Sequence, residues 1–106
     1  MIEVKLMGSA ELFDLIKDVN EVTVSYEKLI GVSATRTRQM IDRHGVVEAL
    51  SIMAANTEIQ SGFKRLRDSN QLHLTFEAVI LRHRELFRNE IVEAARFKLE
   101  HSENME

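Results

Sequence analysis

An apolar stripe along the first thirty residues constrains the fold of this chain more than any other feature. From Leu12 onward, apolar side chains recur every three to four residues, which is the period of one face of an α-helix. The stripe consists of Leu12, Leu15/Ile16, Val19, Val22/Thr23, Tyr26 and Leu29/Ile30. It extends over about three heptads, which is longer than the core of a small domain usually needs. We therefore expect a long N-terminal helix that pairs with another helix, including one from a second subunit.

The limits of this helix are indicated by residues at its two ends. Ser9 is a suitable N-cap and Gly31 a suitable C-terminal stop. The β-branched segment 22–24 lowers helix propensity and leaves a break near Asn20 open, but the unbroken apolar phase favours one continuous helix. Residues 1–8 alternate apolar and polar side chains as a strand does. A single strand has no partner here, so we expect an extended arm.

The rest of the chain also has the pattern of helices. Further helices are predicted at 34–44, about 46–56, about 58–68, from Thr75 onward, and at about 89–101. Ser33 is expected to cap the helix at 34–44, and Gly45 suits a C′ position or a tight turn after it. Thr75 is a good N-cap, and Leu74 and Val79 have the spacing of a hydrophobic staple. Residues 102–106 are predicted to be a frayed tail. Because the chain contains no proline, which breaks helices, we predict an all-α, single-domain bundle of five to six helices over residues 1–106.

Composition indicates a soluble globular protein that lies outside the membrane. Hydrophobic residues make up 44% of the chain and charged residues 29%, which is typical of a folded domain. The chain has no cysteine, which excludes disulfides and thiolate metal sites and is compatible with the cytosol. No apolar run approaches ~18 residues, and no signal peptide is visible. We therefore expect a cytoplasmic protein.

Charge is distributed unevenly along the chain. Residues 1–32 contain three Lys and six Asp or Glu, whereas residues 33–88 contain nine Lys or Arg and six acids. Residues 89–106 contain two basic and five acidic residues. The basic middle is suited to an anionic partner, or to pairing with the acidic ends within one chain or between subunits. The net charge of −3 favours pairing, because net acidity repels nucleic acid at long range.

Residues 31–45 have part of the pattern of a DNA-binding helix-turn-helix. Gly31 suits the tight turn, and the helix after it has an outer face with Thr35, Arg36, Gln39 and Arg43, which include common base-reading residue types. Glu27 departs from the pattern, because a small residue is expected there for close packing, and Thr37 stands where Ile or Val is usual. An alternative is an exposed helix with salt bridges, for instance Arg38 with Asp42.

Motifs for catalysis and for metal or cofactor binding are missing from the sequence. The four histidines do not have the H-x-x-x-H spacing that brings ligands onto one metal ion. Glu11, Asp14 and Asp18 share a helix face, but they lie opposite the apolar stripe and are expected to be solvated. The chain contains no G-x-S-x-G, P-loop or G-x-G-x-x-G segment. We predict no enzyme activity, no catalytic residues, no metal and no cofactor.

The aromatic residues favour a third possibility. Six aromatic side chains fall at core positions of the predicted helices: Phe13, Tyr26, Phe63, Phe76, Phe87 and Phe97. Core packing is the simplest role for them. A gap between helices that is lined by Phe76, Phe87 and Met53 would nevertheless suit a small ligand.

Several segments resemble a group of small uncharacterised bacterial proteins. The segments are ATRTRQMIDRHG with EAL after it, SGFKRL, and LHLTFEAVIL followed by LF and AARFKLE, within residues 34–99. Proteins of this kind are carried on mobile elements such as integron gene cassettes. The resemblance implies a bacterial, cytoplasmic, helical protein, and it implies no functional residues.

The leading hypothesis from the sequence is a non-enzymatic interaction module that forms a homo-oligomer, a dimer or larger. The predicted interface is the stripe on the N-terminal helix, formed by Leu12, Ile16, Val19, Val22, Tyr26 and Leu29. The alternatives are a helix-turn-helix regulator that uses residues 34–44 and a small-ligand-binding helical protein.

Overall fold

The computed structural model describes residues 2–56 and 61–104, with side chains described over 10–56 and 62–103. All regular structure in these ranges is helical, as the sequence predicted. The six α-helices are α1 (Ile2–Ile30), α2 (Thr35–His44), α3 (Val46–Ala55), α4 (Ser61–Asp68), α5 (Phe76–Arg82) and α6 (Asn89–Glu100). Short 3₁₀ turns lie at Leu72–Leu74, Arg84–Leu86 and Ser102–Asn104.

The first helix is one continuous rod, as predicted. It does not break at the β-branched segment, because Val22 and Thr23 are buried and the Thr23 hydroxyl donates to the Val19 carbonyl over 2.7 Å. Gly31 ends the helix with φ of 80°, and its amide donates to the Glu27 carbonyl. The beginning differs from the prediction: the helix begins at Ile2, where an extended arm over residues 1–8 was expected.

The core lies where α1, α3, α5 and α6 meet. Leu15, Val19 and Val22 of α1 are buried in the same cluster as Leu50 of α3 and Ile80 of α5. Val79, Ile91 and Ala95 are also among the buried side chains of this cluster. Burying a large aliphatic side chain stabilises a fold by about 1.5–3 kcal/mol. The middle of α1 is therefore held by its own chain.

Thr75 and Gly45 have the predicted roles at helix ends, whereas Ser33 does not, and Ser9 lies inside α1 and does not cap it. The Thr75 hydroxyl accepts from the Ala78 amide at the start of α5, as an N-cap does. Gly45 adopts φ of 84° between α2 and α3, which a residue with a Cβ rarely does. Ser33 was expected to cap α2, but the residue before α2 is Ala34, and Glu27 accepts from its amide instead.

Three helix or tail boundaries in the second half of the chain differ from the prediction or reach beyond the described residues. The predicted fourth helix begins at Ser61, and residues 58–60 lie outside the described residues. α5 ends at Arg82 and is followed by a 3₁₀ turn. The expected frayed tail is a 3₁₀ turn at Ser102–Asn104, in which Ser102 is buried and its carbonyl accepts from Arg67 over 3.1 Å. Residues 105–106 of that tail lie outside the described part.

None of the described helices has an apolar stretch long enough to cross a bilayer.

Candidate functional site

A cavity of about 680 Å³ opens between α1, α2, α3, α4 and the start of α5. Its apolar walls come from separate elements, with Tyr26 on α1, Met40 on α2, Phe63 and Leu66 on α4, and Phe76 on α5. Phe63 and Leu66 are buried, whereas the other three are partly exposed. The cavity thus borders the core, and five helices contribute residues to its lining.

Polar groups in the deep part of the cavity already have partners within the chain. Thr23 donates to Val19, and Thr75 donates to Leu72 over 2.7 Å. Glu77 is buried, and one carboxylate oxygen lies 3.3 Å from the Lys98 ammonium. No buried side-chain polar atom in the described part of the chain lacks a hydrogen-bond partner. The polar groups in the deep part of the cavity therefore need no hydrogen-bond partner from a ligand.

Basic and amide side chains of α2 line the mouth. Arg36, Gln39 and Arg43 border the cavity and are exposed. Within the described chain, neither Arg36 nor Arg43 forms an ion pair. α2 has no buried residue, so this face of the helix is exposed to solvent along its whole length.

Glu27 fixes α2 against α1. Its carboxylate accepts from the Ala34 amide over 2.8 Å and from Arg38 Nε and Nη2 over 2.8 and 2.7 Å. These bonds, with that of Arg38 the strongest, lower the pKa of Glu27 to about 2. The pairing of Arg38 with Asp42, which the sequence suggested as an example, is wrong, because Arg38 binds Glu27 instead. Glu27 thus forms a bidentate pair at a position at which a helix-turn-helix has a small residue.

α4 approaches α1 closely beside the cavity. A Cβ added to Gly62 would lie 3.1 Å from the hydroxyl oxygen of Tyr26, closer than carbon and oxygen normally approach. Glycine thus lets α4 pack against Tyr26, which lines the cavity. Tyr26 was assigned to an intersubunit interface by the sequence, but its ring packs within its own chain.

The remaining predicted interface residues divide into two groups. Val19 and Val22 are only 4% and 3% exposed, so they belong to the core. Leu12, Ile16 and Leu29 are 38%, 49% and 37% exposed, so they are available for contacts outside the chain. The single stripe of the sequence is thus a core-facing row with an exposed row beside it.

Phe13 was missed by the sequence analysis as a surface residue. Phe13 is 67% exposed and Phe97 is 57% exposed, although both were expected in the core. Phe13 lies one turn from Ile16 and next to Leu12, which makes an exposed apolar patch on α1. The i,i+3 spacing places Phe13 beside Ile16, but it does not indicate whether either side chain is buried.

The four residues predicted to read DNA lie on the surface, and three of them also border the cavity. Thr35, Arg36, Gln39 and Arg43 are exposed, and the last three line its mouth. Placement on the wall of a cleft differs from a recognition helix that projects from the surface. Binding of nucleic acid by residues 34–44 stays a prediction.

A second charged cluster links α1 to the end of α5. Arg82 Nε and Nη2 donate to the Asp18 carboxylate over 2.9 and 3.1 Å, and His83 Nε2 lies 2.8 Å from the same group. Burial raises the pKa of Asp18, but the bonds and charges of Arg82 and His83 outweigh it and lower the pKa overall. Asp18 is thus not the solvated residue that the sequence predicted.

This cluster and the Glu27–Arg38 pair join the acidic first helix to the basic middle of the same chain. Of the two uses predicted for the basic middle, pairing within the chain accounts for Arg38 and Arg82. It does not account for Arg36 and Arg43.

The pocket predicted from Phe76, Phe87 and Met53 is only partly the observed one. Phe76 and Met53 line the cavity, whereas Phe87 is buried in the core and borders a separate depression beside α6. No group of three or more His, Asp or Glu side chains with the arrangement of a metal site occurs among the described residues.

Comparison with known proteins adds no assignment: no family model, curated protein or solved structure matches the chain. The resemblance of residues 34–99 to integron-cassette proteins stays a prediction from the sequence.

Proposed function

We propose that this protein is a non-enzymatic binding module that holds a small, largely apolar ligand in the cavity between α1, α2 and α4. The observation that carries the proposal is the cavity itself, whose volume of about 680 Å³ lies within the ~300–1,000 Å³ typical of small-molecule sites. About half of the lining residues are apolar or aromatic, and the others are polar or charged, with the exposed charged ones on α2.

Apolar side chains of the walls favour the binding of an apolar ligand. Met40, Phe76 and Tyr26 are partly exposed to the cavity and would lose contact with water when a ligand binds. Removing apolar surface from water is favourable by roughly 25 cal/mol per Å². The floor groups Thr23 and Thr75 are already hydrogen-bonded, so covering them leaves no polar group without a partner.

The proposal is tested with the neutral fluorescent probe N-phenylnaphthylamine and a variant that fills the cavity. Thr37 lines the cavity on α2, which has no buried residue, so Thr37→Trp should fill the cavity and leave the fold intact. We expect saturable binding to the wild-type protein and an affinity lowered by about tenfold or more, or ~1.4 kcal/mol, in Thr37→Trp.

The matched control is Thr35→Trp, on the same helix at an exposed position that does not line the cavity. It should bind the probe as the wild-type protein does. Equal affinity of all three proteins would show that the probe binds elsewhere, and an absence of saturable binding would contradict the proposal directly.

A second candidate function is self-association through the exposed patch formed by Leu12, Phe13 and Ile16, defined here as the α1 patch. These side chains lie within about one turn and a half of helix and are 38%, 67% and 49% exposed. Contiguous exposed apolar side chains mark interaction sites, and aromatic residues are frequent anchors of interfaces. Three side chains supply only part of the ~800 Å² per partner of a standard interface, so we expect a dimer that dissociates on dilution.

A further inference from the structure

Two basic side chains at the mouth of the cavity have no acidic partner among the described residues, in contrast to Arg38 and Arg82. Arg38, on another face of α2, is held by Glu27, and Arg82 is held by Asp18. Arg36 and Arg43 border the cavity without an ion pair in the described part of the chain. They are therefore available to an anion from outside.

The spacing of these two residues places them on one face of the helix. They are seven residues apart, or about 10 Å along the axis at ~1.5 Å per residue, with Gln39 between them on the cavity side. Guanidinium groups bind carboxylates through paired N–H donors, and the Gln39 amide adds another donor. An anionic group that lies over Gln39 would be approached from both sides.

The deep end of the cavity favours apolar groups over charged ones. Its one carboxylate, on Glu77, is paired with Lys98 at 3.3 Å, and the buried hydroxyls of Thr23 and Thr75 are hydrogen-bonded within the chain. Phe63 and Leu66 supply buried apolar surface there. A ligand therefore gains most by placing an apolar end inside and a charged end at the mouth.

We infer that the ligand is an amphipathic carboxylate, with a hydrocarbon body inside the cavity and its anionic group between Arg36 and Arg43. This inference rests on the proposed binding function, and it adds the chemical class of the ligand and its orientation. Such a ligand matches each part of the cavity with one of its own ends.

Calorimetric titration with decanoate and with decanol tests the inference, because the two probes share a hydrocarbon chain and differ in charge. The wild-type protein should bind decanoate at least about tenfold more tightly than decanol. The double variant Arg36→Gln/Arg43→Gln should lose that difference and keep its affinity for decanol. Added salt should weaken only the binding of decanoate.

The control variant is Arg65→Gln/Arg84→Gln, which removes the same charge from exposed arginines that do not line the cavity. It should bind both probes as the wild-type protein does. Equal binding of decanoate and decanol by all variants would overturn the inference and leave the proposed function standing. If decanoate, decanol and N-phenylnaphthylamine all fail to bind, the proposed function fails as well.

Nucleic acid is the competing use of the same arginines. A short DNA duplex at low salt should not bind in a manner that depends on Arg36 and Arg43. Duplex binding that the double variant abolishes, together with no binding of decanoate, would overturn the inference and assign these residues to DNA.

Discussion

At the scale of single residues, Asp18 couples two helices through charge. Its carboxylate binds Arg82 through two hydrogen bonds and contacts His83. The pKa of Asp18 is lowered in the folded protein, so the ionised form is favoured by folding. The resulting stability is present above the pKa of the unfolded chain and is lost as pH falls through the lower folded pKa.

We predict that Asp18→Asn destabilises the protein by about 1 kcal/mol at neutral pH, because Arg82 loses its charged partner. The difference from the wild-type protein should shrink on acidification, as the wild-type carboxyl becomes protonated. Urea unfolding across the acid range measures this. Asp14→Asn, at an exposed position of the same helix, is the control and should leave the pH dependence unchanged; identical profiles for Asp18→Asn would refute the assignment.

The position of Asp18 could be predicted from the sequence, but its environment could not. Helical spacing from Glu11 and Asp14 placed it away from the apolar stripe, which is typical of a solvated residue. Its partners are 64 and 65 residues away in the chain. Local periodicity carries no information about which distant helix packs beside a given face.

At the scale of elements, Glu27 links α1 to the start of α2. It replaces the side-chain N-cap that α2 lacks and binds Arg38 in the first turn. The position of α2 then determines where Arg36 and Arg43 stand relative to the cavity. The hydrogen bonds of Glu27 between α1 and α2 are therefore a structural requirement of the proposed site, although Glu27 does not line the cavity.

We predict that Glu27→Gln speeds hydrogen exchange of the Ala34 amide by at least about tenfold, because a neutral amide is a weaker acceptor and loses the ion pair with Arg38. In the wild-type protein this protection should persist on acidification until pH approaches the Glu27 pKa of about 2. Exchange measured by NMR tests both statements.

Glu21→Gln is the control for this prediction, because Glu21 is exposed on the same helix. It should leave exchange at Ala34 unchanged. Unaltered exchange in Glu27→Gln would mean that the carboxylate does not hold α2 against α1.

Two helix ends were predicted correctly from local signals, whereas Ser9 and Ser33 do not cap the helices that they were expected to begin. Gly31 ends α1 and Thr75 caps α5, because a positive φ and a side-chain acceptor are properties of one or two residues. The end of α5 at Arg82 was not predicted. The sequence Arg-His-Arg has no break signal there, and His83 leaves the helix where it contacts Asp18 on α1.

At the scale of the whole molecule, α1 contributes to both candidate functions. Its core-facing row holds the fold, Tyr26 lines the cavity, and the α1 patch remains exposed. The long stripe correctly predicted a long helix. It could not separate the core-facing row from the exposed one, because residues of both rows follow the same three-to-four spacing.

Self-association belongs to this scale, and we predict that Phe13→Glu/Ile16→Glu abolishes it. Charges in the α1 patch would be buried without partners in a dimer, which is strongly unfavourable, while both positions are exposed in the single chain. Light scattering over a range of concentrations should show a rising mass for the wild-type protein and a constant single-chain mass for the variant.

The control is Val24→Glu, which adds charge to an exposed position outside the α1 patch on the same helix. It should associate as the wild-type protein does, and circular dichroism should show equal helix content in every variant. A wild-type mass of one chain at all concentrations would exclude the dimer. Substitution of Val19 is unsuitable for this purpose, because Val19 lies in the core.

The cavity itself could not be predicted from the sequence. Its walls come from α1, α2, α3, α4 and α5, and its volume depends on how closely these helices approach. Residue types gave only the expectation of an aromatic-lined gap, with Phe76 and Met53 placed correctly and Phe87 not.

Mapping of amide chemical shifts during titration with decanoate tests the central claim of a ligand-binding cavity most directly. We predict saturable shifts at cavity residues, including Tyr26, Thr37 and Leu66, with the amides of the α1 patch unchanged. Shifts that cluster at Leu12, Phe13 and Ile16 instead, or no saturable shift at all, would contradict a binding site between α1, α2 and α4.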